Sequence, residues 1–306
     1  MAIAAATTLG GFSGFLNPAQ SAPIFDQARR MSIAQQLAKQ VPLGASGVSI
    51  PVTTGKLAAG WVAEGAAKPA SSGTMAIKTI SPKKLAVIAV VSAEVVRSNP
   101  GGYMQEIQAQ VGEAFATAFD SAAFHGTNTP FTTFLDQTAS SVEFSDAAGA
   151  GGALTNVYSD LNAGLRLLVA AGKKLTGFAF DTRFEPELND AKDTALRPLF
   201  VESPFTEAAG PVRLGRLLGR PAALGEGVWD ATVMSLGYGG DWSQTAWGTV
   251  GGISYDVSTQ ATVTINGALV SLFENNLVAV RAEAEYGWLV NDVNAFVKYV
   301  NAIDTL

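Results

Sequence analysis

Residues 99–126 read NPGGYMQEIQAQVGEAFATAFDSAAFHG, and this stretch decides the class of fold. Its large apolar side chains recur at spacings of three and four, which places them along one face of an α-helix. Asn99 followed by Pro100 predicts the start of this helix, and Gly126 after His125 predicts its end. We expect about 24 residues, or roughly 36 Å. The core of the apolar stripe is expected at Met104, Ile107, Val111 and Phe115.

The segment before this helix is predicted to form a long two-stranded hairpin. Val48, Ile50 and Val52 alternate with polar residues and predict the outgoing strand, while the β-branched run at 84–91 predicts the returning strand. Residues 61–73 lie between them and are rich in turn formers. Because an isolated hairpin is only marginally stable, we expect this one to lean on another surface.

Three residues in the turn region of the hairpin are candidate contacts with a neighbouring subunit. Trp61 is the anchor candidate, since tryptophan is enriched among the residues that dominate binding energy at interfaces. Glu64 and Lys68 follow it closely and are candidates for ion pairs across the same contact. The alternative is that Trp61 packs on its own hairpin.

The rest of the chain is predicted to combine short helices with several groups of strands. Residues 1–47 are broken by glycine and proline around one helical stretch at 25–40, and form an arm without its own core. The fold class is therefore α+β. Beyond the long helix, we expect helices at 158–171 and 185–193, and strands at 175–180, 231–236, 248–257, 261–265, 278–286 and 295–300.

The composition indicates a protein that buries surface against copies of itself. Apolar residues make up 48% of the 306 residues and charged residues only 15%, against roughly 25% in an ordinary soluble domain. The apolar run at 85–91 is too short for a membrane-spanning helix, and no Lys or Arg precedes Arg29 to form a secretory signal. We therefore expect the protein to be made in the cytoplasm and to make no membrane contact.

Most classes of enzyme are disfavoured by what the chain lacks. It has no cysteine and a single histidine, so thiolate and histidine-cluster metal sites are impossible. No catalytic or nucleotide-binding motif is present, and we predict no catalytic residue, no cofactor and no metal. His125 is expected to meet exposed carbonyl groups at the helix C-terminus, and a hydrolase built on it is the least favoured class. The net charge of −6 argues against a broad nucleic-acid interface.

The order of seven short segments resembles the major capsid proteins of tailed bacteriophages, whose fold is called the Hong Kong 97 type. Three of these segments surround the long helix: the tryptophan–glutamate–glycine stretch of an extended loop at 61–69, the returning strand and the approach to a spine helix at 83–95, and the exit from that helix at 125–130. Four follow later in the chain: a lysine–aspartate segment at 192–199, a glycine–x–proline at 218–221, a glycine–aspartate–aromatic turn at 238–242, and the closing strands at 279–297.

This resemblance implies a domain organisation and a structural function. It implies an N-terminal arm at 1–47, an extended loop at 48–90, a peripheral domain at 91–127 and 265–306, and an axial domain at 128–264. The implied function is self-assembly into the hexamers and pentamers of an icosahedral head in the virion, around weakly held double-stranded DNA. The implied partners are a separate scaffolding protein, a portal and minor capsid proteins.

Two alternatives remain open within this resemblance. The first is an encapsulin-type cellular compartment shell that holds cargo enzymes. The second concerns covalent cross-links, which some members of the family form between a loop lysine and an asparagine of a neighbour. Lys56, Lys68 and Lys78 are the lysine candidates and Asn291 and Asn294 the partners, and we expect no cross-link to form.

Overall fold

The computed structural model describes residues 32–55, 57–64, 67–99, 103–144, 156–191, 200–202 and 213–301, without the side chains of 103–105, 190 and 200–202. Helices and strands are numbered in chain order. The helices are α1 (Ile33–Leu37), α2 (Ala93–Ser98), α3 (Tyr103–Phe124), α4 (Val157–Ala170) and α5 (Glu185–Asp190). The strands are β1 (Lys39–Gln40), β2 (Val48–Gly55), β3 (Thr74–Ile80), β4 (Lys83–Ser92), β5 (Ser141–Glu143), β6 (Gly177–Asp181), β7 (Phe200–Glu202), β8 (Arg213–Leu217), β9 (Arg220–Gly225), β10 (Ser235–Gly240), β11 (Thr245–Thr249), β12 (Ser254–Ser258), β13 (Thr262–Ile265), β14 (Ala268–Ser271), β15 (Leu277–Val290) and β16 (Phe296–Val300).

The long helix predicted from the apolar stripe is α3. It ends where expected, since Gly126, two residues past its last residue, adopts φ +70°. Its start differs from the prediction. Asn99 does not cap α3; it lies in the left-handed region at φ 38° and ends the short helix α2, whose own N-cap is Ser92. Asparagine tolerates this conformation better than most residues, which explains why it stands between two helices.

A five-stranded sheet carries α3 on one face. Its central strand is β15, which pairs antiparallel with β4, β11 and β12, while β1 joins the outer side of β11. Strand β4 runs beside β15 from Ser92 opposite Leu277 to Lys83 opposite Tyr286. The apolar stripe of α3 packs on this sheet. The shared cluster includes Ile107, Val111, Phe115, Val91, Val95, Ala282 and Ala284.

A seven-stranded mixed sheet in the order β5-β16-β10-β6-β9-β8-β7 forms the second layer. Both β6 and β10 are buried along their whole length, because helix α4 and the aromatic cluster cover them. The segment at 238–242, expected as a turn, belongs to the central strand β10 up to Gly240, and the turn begins only at Asp241. Its glycines are required by packing, since a Cβ on Gly237 would overlap the ring of Phe180.

The hairpin differs from the prediction in its second strand. Strand β2 pairs with β3, from Val48 opposite Ile80 to Gly55 opposite Thr74. The run at 84–91 does not return along β2; it is most of β4 and pairs with β15. The hairpin thus ends at Ile80, ten residues before the expected loop boundary at 90.

Each sheet takes strands from both sides of residue 264, where a domain boundary is predicted. Strands β11 and β12 precede this boundary but lie in the five-stranded sheet with β15, whereas β16 follows it but lies in the seven-stranded sheet. The predicted helix at 25–40 is described only from Ser32 onward, where the helix is confined to α1 and is followed by β1. The shared core of the two layers includes Ile33, Phe119, Tyr238, Trp242 and Trp288.

Candidate assembly surface

The hairpin formed by β2 and β3 is fixed at its base and has no sheet partner further out among the described residues. At the base, Ile80 is 1% exposed and packs with Leu43 and Leu289. Lys78 adds a second anchor, since its Nζ donates a hydrogen bond to the main-chain carbonyl of Asn291. A lone two-stranded hairpin is only marginally stable, and the described part of the chain supplies no further sheet partner for its outer part.

The three candidate contact residues lie together in the hairpin tip, which comprises residues 57–64 and 67–73. Trp61 is 106% exposed, so it does not pack on its own hairpin. Glu64 and Lys68 are also exposed, and neither forms an ion pair with a residue that the structure describes. The tip therefore presents an exposed tryptophan in the same segment as one acid and one base.

The apolar surface of the tip continues along one face of the hairpin. Met75 and Ile77 on β3 are 68% and 73% exposed, and Leu57 in the tip is 72% exposed. Sequence reasoning missed Met75 and Ile77, although their spacing of two was a usable signal for a strand face. Contiguous exposed apolar surface marks interaction sites in soluble proteins.

The cross-link candidates are distributed over very different surroundings. Lys56 lies outside the described residues, and Lys68 lies in the exposed tip. Lys78 reaches the carbonyl of Asn291, but the side-chain amide of Asn291 donates to Gln244 at 2.7 Å. Asn294 lies in the short helical turn before β16. Within one chain, therefore, no described lysine side chain meets the side-chain amide of either candidate asparagine.

Helix α3 presents one buried face and one polar face. Ile107, Val111 and Phe115 are 5%, 6% and 3% exposed. The side chain of Met104 lies outside the described part of the chain. On the opposite face, Gln110 is exposed and its side chain donates to Glu106 at 3.1 Å.

The single histidine lies in a buried polar cluster at the end of α3. Nδ1 of His125 is 2.9 Å from Asp136, and the hydroxyl of Tyr238 donates to the other oxygen of Asp136 at 2.6 Å. His125 stands at the end of α3 as predicted, but its ring is bound by the Asp136 carboxylate and not by helix-end carbonyls. Burial, followed by the charge of Asp136, raises the pKa of Tyr238 well above its ordinary value.

The hydrogen bonds of this cluster link the end of α3 to β10 through Asp136. Nε2 of His125 has no hydrogen-bond partner, so no nucleophile stands where a histidine base would need one. A second set of hydrogen bonds attaches the start of the described chain to α3. Asp120 of α3 is buried and accepts hydrogen bonds from the Ser32 hydroxyl at 2.6 Å and from the main-chain N–H of Ile33 at 3.0 Å.

Two kinds of site are absent from the residues that the structure describes. No three His, Asp or Glu side chains there come together in a way that could hold a metal ion. No helix within those ranges combines the length and the apolar character that crossing a membrane requires.

Comparisons with known proteins point to one family. The model of the phage capsid family matches residues 13–301. The chain is 48% identical over 297 residues to the probable major capsid protein gp17 of Mycobacterium phage L5, covering 95% of this chain and 90% of that protein. It is 45% identical over 297 residues to the protein of the same name from Mycobacterium phage D29, covering 95% and 92%. A solved structure from Gordonia phage Cozz superposes with a TM-score of 0.72 at 26% identity, covering 96% of this chain and 94% of that one. The chain belongs to the phage capsid family.

Proposed function

We propose that the chain is a major capsid protein that self-assembles into the hexamers and pentamers of an icosahedral phage head around double-stranded DNA. The observation that carries this proposal is the hairpin tip. Trp61 is fully exposed on a chain whose other large aromatic side chains in the described ranges are mostly buried. A free subunit gains nothing from this exposure, whereas a shell subunit covers it at each contact with a neighbour.

The architecture in this proposal is of the Hong Kong 97 type. The arm at 1–47 leads to an extended loop at 48–90, of which β2, β3 and the tip project from the body. The peripheral domain at 91–127 and 265–306 is built around α3 as the spine helix, and the axial domain at 128–264 contains most of the seven-stranded sheet. The large share of sequence that the family model matches supports this organisation.

The partners follow from the same role. We propose a separate scaffolding protein, a portal and minor capsid proteins, with assembly in the host cytoplasm and residence in the virion. Contact with the packaged DNA is weak and non-specific, because a chain with net charge −6 attracts phosphates poorly.

A structural role is favoured over a catalytic one, and a phage head over a cellular compartment. The family is structural, and His125 is bound to Asp136 without a nucleophile on its free nitrogen. Both curated relatives named above are mycobacteriophage proteins, which disfavours the encapsulin-type shell.

The proposal is tested by expressing the full chain, alone and with its phage's scaffolding protein, and examining the product by sedimentation and negative-stain microscopy. We expect closed particles of uniform size. A chain that stays monomeric under both conditions would contradict the proposal. Particles isolated from infected cells should contain DNA, and particles filled with a cargo enzyme would instead support the compartment shell.

A further inference from the structure

Asp120, in the second half of α3, holds three consecutive residues at the start of the described chain. One oxygen of its carboxylate accepts a hydrogen bond from the Ser32 hydroxyl at 2.6 Å and another from the main-chain N–H of Ala34 at 3.2 Å. The other oxygen accepts from the main-chain N–H of Ile33 at 3.0 Å. We call these four residues the arm joint. Because both oxygens accept, an asparagine in place of Asp120 would turn its N–H₂ group toward at least one donor.

The arm joint is buried among apolar side chains. Asp120 is 0% exposed, as are Ile33 and Ala34 beside it. Phe119 of the same helix belongs with Ile33 and Ala34 to the core that the two sheets share. A buried carboxylate costs free energy unless hydrogen bonds compensate it, and an apolar side chain of similar volume often stabilises a core equally well. What the carboxylate adds is placement, because each charge-assisted hydrogen bond fixes a distance and a direction.

The chain that follows the arm joint is fixed to the body as far as Val41. Helix α1 lies against α3, β6 and β9. Strand β1 then pairs in parallel with β11, with Lys39 opposite Ala246, and the N–H of Val41 donates to the carbonyl of Trp247 at 2.8 Å. A helix of five residues is not stable alone, so α1 depends on these contacts and on the arm joint. Residues 1–31 are therefore connected to the body through the arm joint.

We infer that Asp120 is a positioning residue for assembly, which fixes the place and the direction in which residues 1–31 leave the body. This inference rests on the proposed function, since it requires copies that assemble. The sequence of the arm predicts no core of its own, so its partners are surfaces within reach of the point where it leaves. Holding that point fixed reduces the entropy that is lost when the arm contacts a neighbouring copy.

Asp120→Asn in the full chain tests the inference, and Asp181→Asn is its matched control. Asp181 is also buried, and its carboxylate accepts from the main-chain N–H groups of Arg183, Gly227 and Trp229 at 3.1, 3.1 and 3.0 Å. Both substitutions remove a charge that binds three donors, so both should lower the unfolding temperature by a similar amount. Only Asp120→Asn should raise the subunit concentration needed for assembly, by about tenfold, while Asp181→Asn should stay within about twofold of the parent.

Limited proteolysis with trypsin measures the arm joint itself in the unassembled subunit. Arg30 stands two residues before Ser32, and cleavage after Arg30 requires the protease to bind Ser32 and Ile33 as extended chain. Asp120 holds these residues, so cleavage there depends on opening of the arm joint. Asp120→Asn should speed this cleavage about tenfold, and Ser32→Ala, which removes one of the three hydrogen bonds, by a smaller factor. Asp181→Asn should leave its rate as in the parent.

The outcomes separate the inference from the proposed function. Particles of the parent, together with equal assembly of Asp120→Asn and Asp181→Asn, would overturn the inference and leave the shell intact. Unchanged cleavage after Arg30 in a folded Asp120→Asn subunit would also overturn it. If Asp120→Asn does not fold, Ser32→Ala takes its place in both measurements, and assembly and cleavage equal to the parent's would overturn the inference. Failure of the parent to form any particle would overturn the proposed function, and the inference with it.

Discussion

Replacing Val111 by aspartate places a carboxylate in the contact between the spine helix and the five-stranded sheet. Val111 is 6% exposed and belongs to the cluster that joins α3 to Val91, Val95 and Ala282. The side chains of this cluster are apolar, so the new charge enters apolar surroundings. Gln110, its neighbour in sequence, is exposed on the opposite face and provides a matched control.

The expected losses in the free energy of unfolding differ about tenfold between Val111→Asp and Gln110→Asp. Loss of a buried valine costs about 1.5–3 kcal/mol, and burying an unpaired polar or charged group adds several kcal/mol more. The sum of about 5 kcal/mol equals the whole stability of many domains. Gln110→Asp instead loses an exposed hydrogen bond to Glu106 and places a like charge one turn away, which costs about 0.5 kcal/mol.

Circular dichroism of the soluble protein and sedimentation of assembled particles measure both effects. Val111→Asp should give neither a folded subunit nor particles, while Gln110→Asp should give both at the yield of the parent. Normal assembly of both variants would show that the apolar stripe is not buried. Equal failure of both, with a folded Gln110→Asp subunit, would identify the polar face of α3 as a subunit contact.

Three further outcomes follow from the structure. Trp61→Ala should make particles dissociate at lower temperature, since truncating an interface tryptophan often costs about 2 kcal/mol or more. Dissociation at the parent's temperature would contradict an interface role for Trp61. Mature particles should run as a single band on a denaturing gel, and a ladder of subunit multiples would show that cross-links form. Burial raises the pKa of Tyr238 above its ordinary value of 10.0, so the folded state keeps a proton that the unfolded chain releases, and the free energy of unfolding should fall as pH rises above 10.0. The free energy of unfolding, measured against pH, should fall less for Tyr238→Phe than for the parent. For Tyr158→Phe, whose ring is half exposed, it should fall as it does for the parent.

The long helices were predictable because their signals are local. The stripe containing Ile107 and Val111 repeats over many turns, and Gly126 and Gly172 mark the ends of α3 and α4 with φ of +70° and +68°. Helix α2 has only six residues, too few for an apolar period to emerge. The sequence therefore places Asn99 on the wrong helix, since it can act as a cap for either neighbour.

The pairing of the hairpin was not predictable from alternation alone. Strand β3 carries Met75 and Ile77 on its exposed face, so these apolar residues do not mark the side that packs on the body of the chain. The run at 84–91 looks like a better partner for β2 because it is more apolar. It is apolar because it lies beside β15 in the central sheet, and that pairing joins residues almost 200 positions apart.

The candidate site, too, was predictable only where its signal lies in neighbouring residues of the sequence. Trp61, Glu64 and Lys68 could be chosen from the sequence because a turn-rich segment cannot bury a tryptophan by itself. The surroundings of His125 could not be, because they depend on Tyr238, which lies 113 residues further along the chain.

The most direct test of the shell is an icosahedral reconstruction of particles assembled from the full chain. We predict capsomers of six and five copies, each copy with the fold described above, and density for Trp61 against a neighbouring copy. Open aggregates without icosahedral symmetry, or closed particles in which Trp61 remains in solvent, would contradict the role proposed for the hairpin in building the head.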